Sequence, residues 1–222
     1  ASGNVTVASG GKLDVASNYT FEAATLSGDI ALTAATTTTT FKTANATNAK
    51  VAVKGATLDL DGTSTLGTLS LASGNLTSST GGSATVTSLE WSGGNLNGKV
   101  KATTSATLTG NQTIGSAGEF TVAGSLSSTG SLTNQGKLIK QGAAITTDLT
   151  TAFDNTGTAA LVQIDSGTLK LSGGGKASGN VTVASGSKLD VASGYTFDAA
   201  TLSGSGDIEL TAATTIFKNS NA

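Results

Sequence analysis

Residues 177–213 read ASGNVTVASGSKLDVASGYTFDAATLSGSGDIELTAA, and residues 1–35 read ASGNVTVASGGKLDVASNYTFEAATLSGDIALTAA. Over the first 28 paired positions only three differ, Gly11/Ser187, Asn18/Gly194 and Glu22/Asp198. A two-residue insertion, Ser205-Gly206, then shifts the frame. The chain therefore returns to its own beginning after 176 residues. Self-similarity at a fixed period points to a stacked architecture in which each unit contacts its neighbours. The expected organisation is one super-repeat over 1–176 and the start of the next over 177–222, in a single elongated domain.

Within that repeat the apolar residues recur with period two, in short bursts. Val5-Thr6-Val7, Leu13-Asp14-Val15 and Tyr19-Thr20-Phe21 alternate, as do Leu58-Asp59-Leu60, Leu69-Ser70-Leu71, Phe120-Thr121-Val122 and Leu169-Lys170-Leu171. Alternation over three to six residues argues for strands with one buried face. The gaps hold Ser-Gly, Gly-Gly, Asn-Gly and Asp-Asn-Thr-Gly clusters, which is turn chemistry. No window carries a helical stripe. A β-sandwich would need a bulkier core than 4% aromatic residues supply. An all-β parallel β-helix, or β-solenoid, suits a narrow core of Val, Leu, Ile and Ala. Turn motifs such as Asn134-Gln135-Gly136 and Asn155-Thr156-Gly157 set an expected coil of about 20 to 25 residues, hence roughly nine to eleven coils, about eight of them per super-repeat.

Composition removes several function classes. The 222 residues contain no Cys and no His, and none of the cationic residues is Arg. Disulfides, thiolate nucleophiles and imidazole bases are absent with them. A net charge of -2 gives no drive toward nucleic acid or an anionic membrane, and no apolar run is long enough to span a bilayer. Charged residues at 12% with ordered alternation also argue against disorder.

Few residues invite chemistry. Asp59 and Asp61, beside Gly62, form the best candidate for a calcium site, since Ca²⁺ takes oxygen ligands; alternation with Leu58 and Leu60 puts both on the outer strand face, and a solvated face is the preferred reading. Asp148 with Asp154, or Asp165 with Asp190, would meet the spacing of a glycosidase pair only if stacking brought them together. Trp91, the single Trp, is a possible surface aromatic for sugar stacking, against the preferred reading of a core or corner filler. The Thr39-Thr40 run suggests a threonine array, but its spacing is irregular. Asn4, Asn18, Asn45, Asn75, Asn111 and Asn180 sit in N-x-S/T sequences, read as compositional. Asn134 and Asn155 are expected to stack as a turn ladder, and Lys54, Lys99, Lys101, Lys137 and Lys140 to face solvent.

The order of motifs after residue 87 carries a resemblance. Ser88-Leu89-Glu90-Trp91-Ser92-Gly93-Gly94-Asn95-Leu96-Asn97-Gly98 is followed by Leu132-Thr133-Asn134-Gln135-Gly136-Lys137-Leu138, Phe153-Asp154-Asn155-Thr156-Gly157-Thr158 and Asp165-Ser166-Gly167-Thr168-Leu169-Lys170-Leu171-Ser172-Gly173-Gly174-Gly175. This succession resembles the coils of giant repetitive bacterial surface proteins of the filamentous-haemagglutinin and autotransporter-passenger class. Residues 36–87 fit less well. The resemblance implies a right-handed, extracellular or cell-surface β-helix acting as a fibre or adhesin stalk. The expected function is thus structural and non-enzymatic: length and stiffness for surface coating, attachment or cell-cell contact. Its expected partners are neighbouring repeats or further copies joined end to end, with cell-surface glycans as a further class and no cofactor beyond possible calcium. The alternative is a carbohydrate-binding or carbohydrate-degrading β-helix, or an adhesin with its own receptor site.

Overall fold

A computed structural model describes residues 1–221. They form an all-β solenoid of about 11 turns, without helix. Every strand pairing is parallel, and the partner usually lies about one turn away in sequence, as in Val100↔Phe120, Leu169↔Leu189 and Phe197↔Phe217. Each full coil carries three short strands on three faces. In coil 7 these are Glu119–Val122 on the first face, Ser125–Ser128 on the second and Ser131–Asn134 on the third. At about 4.8 Å per coil the rod is about 50 Å long.

The period-two rule explains what faces inward. In Thr168–Leu171 the burial alternates intermediate, buried, intermediate, buried, and the same holds for Lys188–Val191 and Leu161–Ile164. Identical positions of successive coils then stack into columns. One column on the third face runs Leu76, Leu96, Ile114, Asn134, Asn155, Ala177, Phe197, Phe217. The core is the sum of such columns.

The expectation of uniformly short strands fails over Asn45–Trp91, which is one unbroken extended run. It wraps round the solenoid instead of running straight, pairing with Ala24–Leu32 below it and Lys99–Leu108 above. The corners there are turned at single residues, with Gly55, Gly62 and Gly74 at positive φ, so the ladder continues round the bend. At Gly74 a side chain would collide with the backbone of Gly55 and Ala56 in the coil beneath. This run covers most of residues 36–87, the part least like the recognised motif order.

The super-repeat spans nine coils rather than eight. First-face strands begin near Gly3, Ala24, Asn45, Thr65, Ala84, Lys99, Glu119, Lys137, Leu161 and Asn180, which is nine steps. The expected coil length was too long: most steps are near 20 residues, and Ala84↔Val100 is shorter still. The two copies fold alike. Left-handed residues recur at Ala23 and Ala199, and at Thr43 and Asn219. The pairing Thr25↔Asn45 recurs as Thr201↔Asn221. Ser205-Gly206 forms a bend between Leu202–Gly204 and Asp207–Leu210, where the first copy runs straight through as Ala24–Leu32.

Candidate functional site

On the first face, Glu119–Val122 and Lys137–Lys140 lie side by side in register, Glu119↔Lys137 and Thr121↔Ile139. Thr121 and Ile139 occupy outward positions, yet they are only 5% and 6% exposed. They form the floor of a groove of about 240 Å³ whose rim includes Lys99, Lys101, Glu119 and Gln141. The register Lys99↔Glu119↔Lys137 alternates the sign of charge up one side. At the other, the carboxylate of Asp165 accepts bonds from the amides of Gln141 (3.2 Å) and Gln163 (2.6 Å), which holds both side chains in place. The groove offers amides, ammonium groups and the carboxylates of Glu119 and Asp165 over a floor of Thr121 and Ile139. No aromatic ring lines it. Sequence reading missed this floor; the signal was Ile139, an apolar residue in the outward phase of Lys137-Leu138-Ile139-Lys140.

The same four residues hold a second surprise. Lys140 was expected to face solvent, but it is 1% exposed. Its register places it between Val122 and Ile164, in a core column. Alternation leaves no choice: once Leu138 points inward, so does residue 140. The ammonium turns to the corner and donates to the carbonyls of Gln141, Gly142 (3.2 Å) and Ser166 (3.4 Å). Burial holds its pKa below the usual lysine value. Lys99, Lys101 and Lys137 are half-buried on the outer side and Lys54 is exposed.

Asn134 and Asn155 are fully buried and in register. The Asn134 amide donates to the side-chain oxygen of Asn155 at 2.8 Å and to the carbonyl of Leu161 at 3.0 Å. Asn155 in turn donates to the carbonyl of Asn180 at 3.1 Å. Each asparagine thus ties the end of a third-face strand to the first-face strand two coils on. Two polar side chains stand here inside a column that is otherwise apolar, and their bonds are what makes that tolerable.

Asp59 and Asp61 both lie on the outer side, half-buried, while Leu58 and Leu60 are buried. Their oxygens are engaged by neighbouring coils. Asp59 accepts from the hydroxyls of Thr77 (2.9 Å) and Ser79 (2.6 Å) and from the amide of Ser79 (3.0 Å). Asp61 accepts from the Thr80 hydroxyl and lies 3.5 Å from the Lys42 ammonium. The hydroxyl first, then Lys42, lower the Asp61 pKa. Among the described residues no three His, Cys, Asp or Glu side chains gather as a metal cluster would. The other acid pairs are parted by the faces. Asp148 lies on the second face and Asp154 on the third; Asp190, on the second face, has Lys170 and Glu209 as ladder neighbours, and Asp165 closes a first-face strand.

Trp91 is not a surface aromatic. It is 1% exposed and meets Phe120 edge-on, ring centroids 6.2 Å apart. The alternation Leu89-Glu90-Trp91 had already placed it on the side of Leu89. Thr39 is likewise buried, in register between Tyr19 and Leu58, so the threonine run is split between core and surface. Four of the N-x-T asparagines of the first coils and of the second copy, Asn4, Asn18, Asn45 and Asn180, are exposed, as is Asn111, while Asn75 is half-buried.

Large apolar side chains are open at the first and last described coils. Tyr19 at the first coil is 42% exposed, and Ile208, Leu210, Ile216 and Phe217 at the last are 37%, 47%, 43% and 45% exposed. A hollow of about 330 Å³ at the first coil is lined by Val5, Leu13, Val15, Tyr19 and Phe21 among others. No helix among the described residues is long and apolar enough to cross a membrane. No family model, curated protein or solved structure matches the chain.

Proposed function

We propose that this chain is a length-giving segment of an extracellular bacterial β-solenoid fibre or adhesin stalk, and that it does no catalysis. The observation that carries the reading is the unbroken parallel stack, in which a 176-residue sequence returns to the same face and begins again. Such a stack gains length without gaining thickness, because each coil contacts only its neighbours. Stiffness follows from ladders that run the whole length and from columns of close-packed apolar side chains. The likeness of the motif order to giant bacterial surface proteins supports the extracellular setting. Chemistry has little support: neither Asp148 and Asp154 nor Asp165 and Asp190 share a face, and the most unusual cation, Lys140, is bonded inward to carbonyl groups. The first-face groove gives a glycan-binding reading its best place, but one without a ring for a sugar to stack on.

Electron microscopy of a chain carrying two consecutive copies of residues 1–176 tests the reading. The rod should lengthen by about 43 Å per added copy, nine coils at about 4.8 Å, at constant width. A particle that grows in all directions would overturn it.

A further inference from the structure

Two ladders of outward side chains on the flanks of the rod carry charges that no neighbour pairs. On the first face Lys99, Glu119 and Lys137 stand in register on coils 6, 7 and 8, and read plus, minus, plus. On the second face Asp148, Lys170 and Asp190 stand in register on coils 8, 9 and 10, and read minus, plus, minus. All six are half-buried. The ion pairs among the described residues join Lys12 with Asp14, Lys42 with Asp61, Lys50 with Glu90 and Lys188 with Glu209, and none uses a member of either ladder. Each ladder has further coils stacked above and below it, so its exposure belongs to the side of the rod.

We propose that the first face of one rod binds the second face of a second copy, side by side and parallel, with a stagger of two coils. This rests on the rod reading above and adds lateral association to it. The rungs match in spacing because both ladders repeat once per coil, about every 4.8 Å. The stagger sets Lys99 against Asp148, Glu119 against Lys170 and Lys137 against Asp190, three opposite-charge pairs in a row. A stagger of one coil would set Glu119 against Asp148 and Lys137 against Lys170. A stagger of three would set Lys99 against Lys170 and Glu119 against Asp190. Like charges therefore disfavour both neighbouring positions.

Direction follows from the way the chain winds. Two parallel rods coil in the same sense, so strands that face each other run in opposite directions. The first position of a first-face strand then lies opposite the third position of a second-face strand. Lys99, Glu119 and Lys137 open their strands, and Asp148, Lys170 and Asp190 are third in theirs. In antiparallel rods the first-face ladder would meet Thr146, Thr168 and Lys188, which offer no carboxylate. The adjoining column suits the parallel arrangement too. Lys101 faces Thr146, Thr121 faces Thr168, and the methylene stem of Lys188 faces Ile139 at the floor of the groove. One coil lower, Ser83 and Thr85 face Ser127 and Ser125. One coil higher, Leu161 against Glu209 is the poor match. The joint uses a different face on each partner, so it propagates sideways and does not close as a dimer.

The test is sedimentation velocity with electron microscopy on the 222-residue chain, in about 0.01 M and about 1 M salt, where the Debye length is about 30 Å and about 3 Å. Two double variants accompany it, Lys99→Glu with Lys137→Glu and Asp148→Lys with Asp190→Lys, and circular dichroism reports whether each keeps its strand content. In low salt the unaltered chain should form side-by-side particles, wider by one rod and longer by about 10 Å, two coils at about 4.8 Å. High salt should disperse them. Each variant alone should associate at least about tenfold more weakly. Mixed together they should associate again, because the reversed first face of one fits the reversed second face of the other. The salt response and the particle width stand whether or not a variant folds. A chain that stays monomeric in low salt up to about millimolar concentration overturns the joint and leaves the rod intact. So do particles that lengthen at the width of one rod, or variants that keep their strands and associate like the parent. A chain without rod-shaped particles or strand spectrum would instead overturn the rod.

Discussion

Coils 1 and 2 at one end and coils 10 and 11 at the other share nearly one sequence and differ in what surrounds them. Tyr19 is 42% exposed, whereas its copy Tyr195 is 3% exposed. Leu32 is fully buried, whereas its copy Leu210 is 47% exposed. Phe21 and Phe41 meet edge to face, at 85°, while their copies Phe197 and Phe217 stack at 11°. Apart from the Ser205-Gly206 bend the backbone follows the same course in both places, down to the left-handed corners at Ala23 and Ala199. Conformation is therefore a property of the coil, and burial is a property of its neighbours. That separation is what a quasi-one-dimensional fold predicts: an intrinsic contribution from each coil plus a term for each interface.

The sharpest way to break the comparison is to truncate both members of a pair. Phe41→Ala should cost about 3–5 kcal/mol, as for a fully buried ring, whereas Phe217→Ala should cost about 1 kcal/mol or less. Equal losses in denaturant unfolding would show that the coil, and not its neighbours, sets the energetics. Asparagines give the next test. Asn155→Ala removes the acceptor of the buried Asn134 amide and the donor to the Asn180 carbonyl and should cost about 1–3 kcal/mol, while Asn221→Ala at the last described coil should stay within about 0.5 kcal/mol. Tyrosine extends the comparison to pH. Burial first, and then the nearby Asp154 carboxylate, push the Tyr195 pKa far up, and its hydroxyl donates to the Lys176 carbonyl at 3.0 Å. An acid whose pKa is raised on folding lends stability below its ordinary value of 10.0, and that stability falls away as pH rises above it. In a Tyr19→Phe chain the single remaining phenol should therefore show no phenolate absorbance until the solenoid unfolds. Phenolate appearing in the folded protein near pH 10.0 would contradict its burial.

The smallest effect concerns Lys140. Its pKa is lowered by burial, so the unfolded chain holds a proton that the fold resists. Stability should rise with pH through the lowered value and level off above the ordinary 10.5. Lys140→Met should flatten that rise, which is measured by urea titrations across the alkaline range against the parent chain. An unchanged slope would place the ammonium in water.

Much of this was legible in the residues. Leu58-Asp59-Leu60 and Leu89-Glu90-Trp91 declare which side is inward, because a strand offers only two directions. The internal copy at residue 177 announces a stack. What stays illegible is non-local. Coil boundaries depend on how many residues each corner absorbs, and corners vary: Leu138↔Val162 spans the long bends at 141–145 and 156–160, while Ala84↔Val100 spans only the short ones at 92–94 and 97–98. Lys140 reads as a surface lysine until one knows that Val122 lies below it and Ile164 above. The groove floor at Thr121 and Ile139 is equally a product of register between coils. The chemistry of each residue can be read alone, but its neighbour one turn away cannot.

The nine-coil count of the super-repeat also has a bearing on how a longer rod would look from outside. Because 176 residues close a whole number of turns, Asn4 and Asn180 lie on the same face. In an array of such units every surface feature would recur on one side, like marks along a ruler about 43 Å apart. A weak contact made once, at the trough around Lys99, Glu119 and Gln141, would be offered again at each mark, and a partner with matching spacing would bind through many at once.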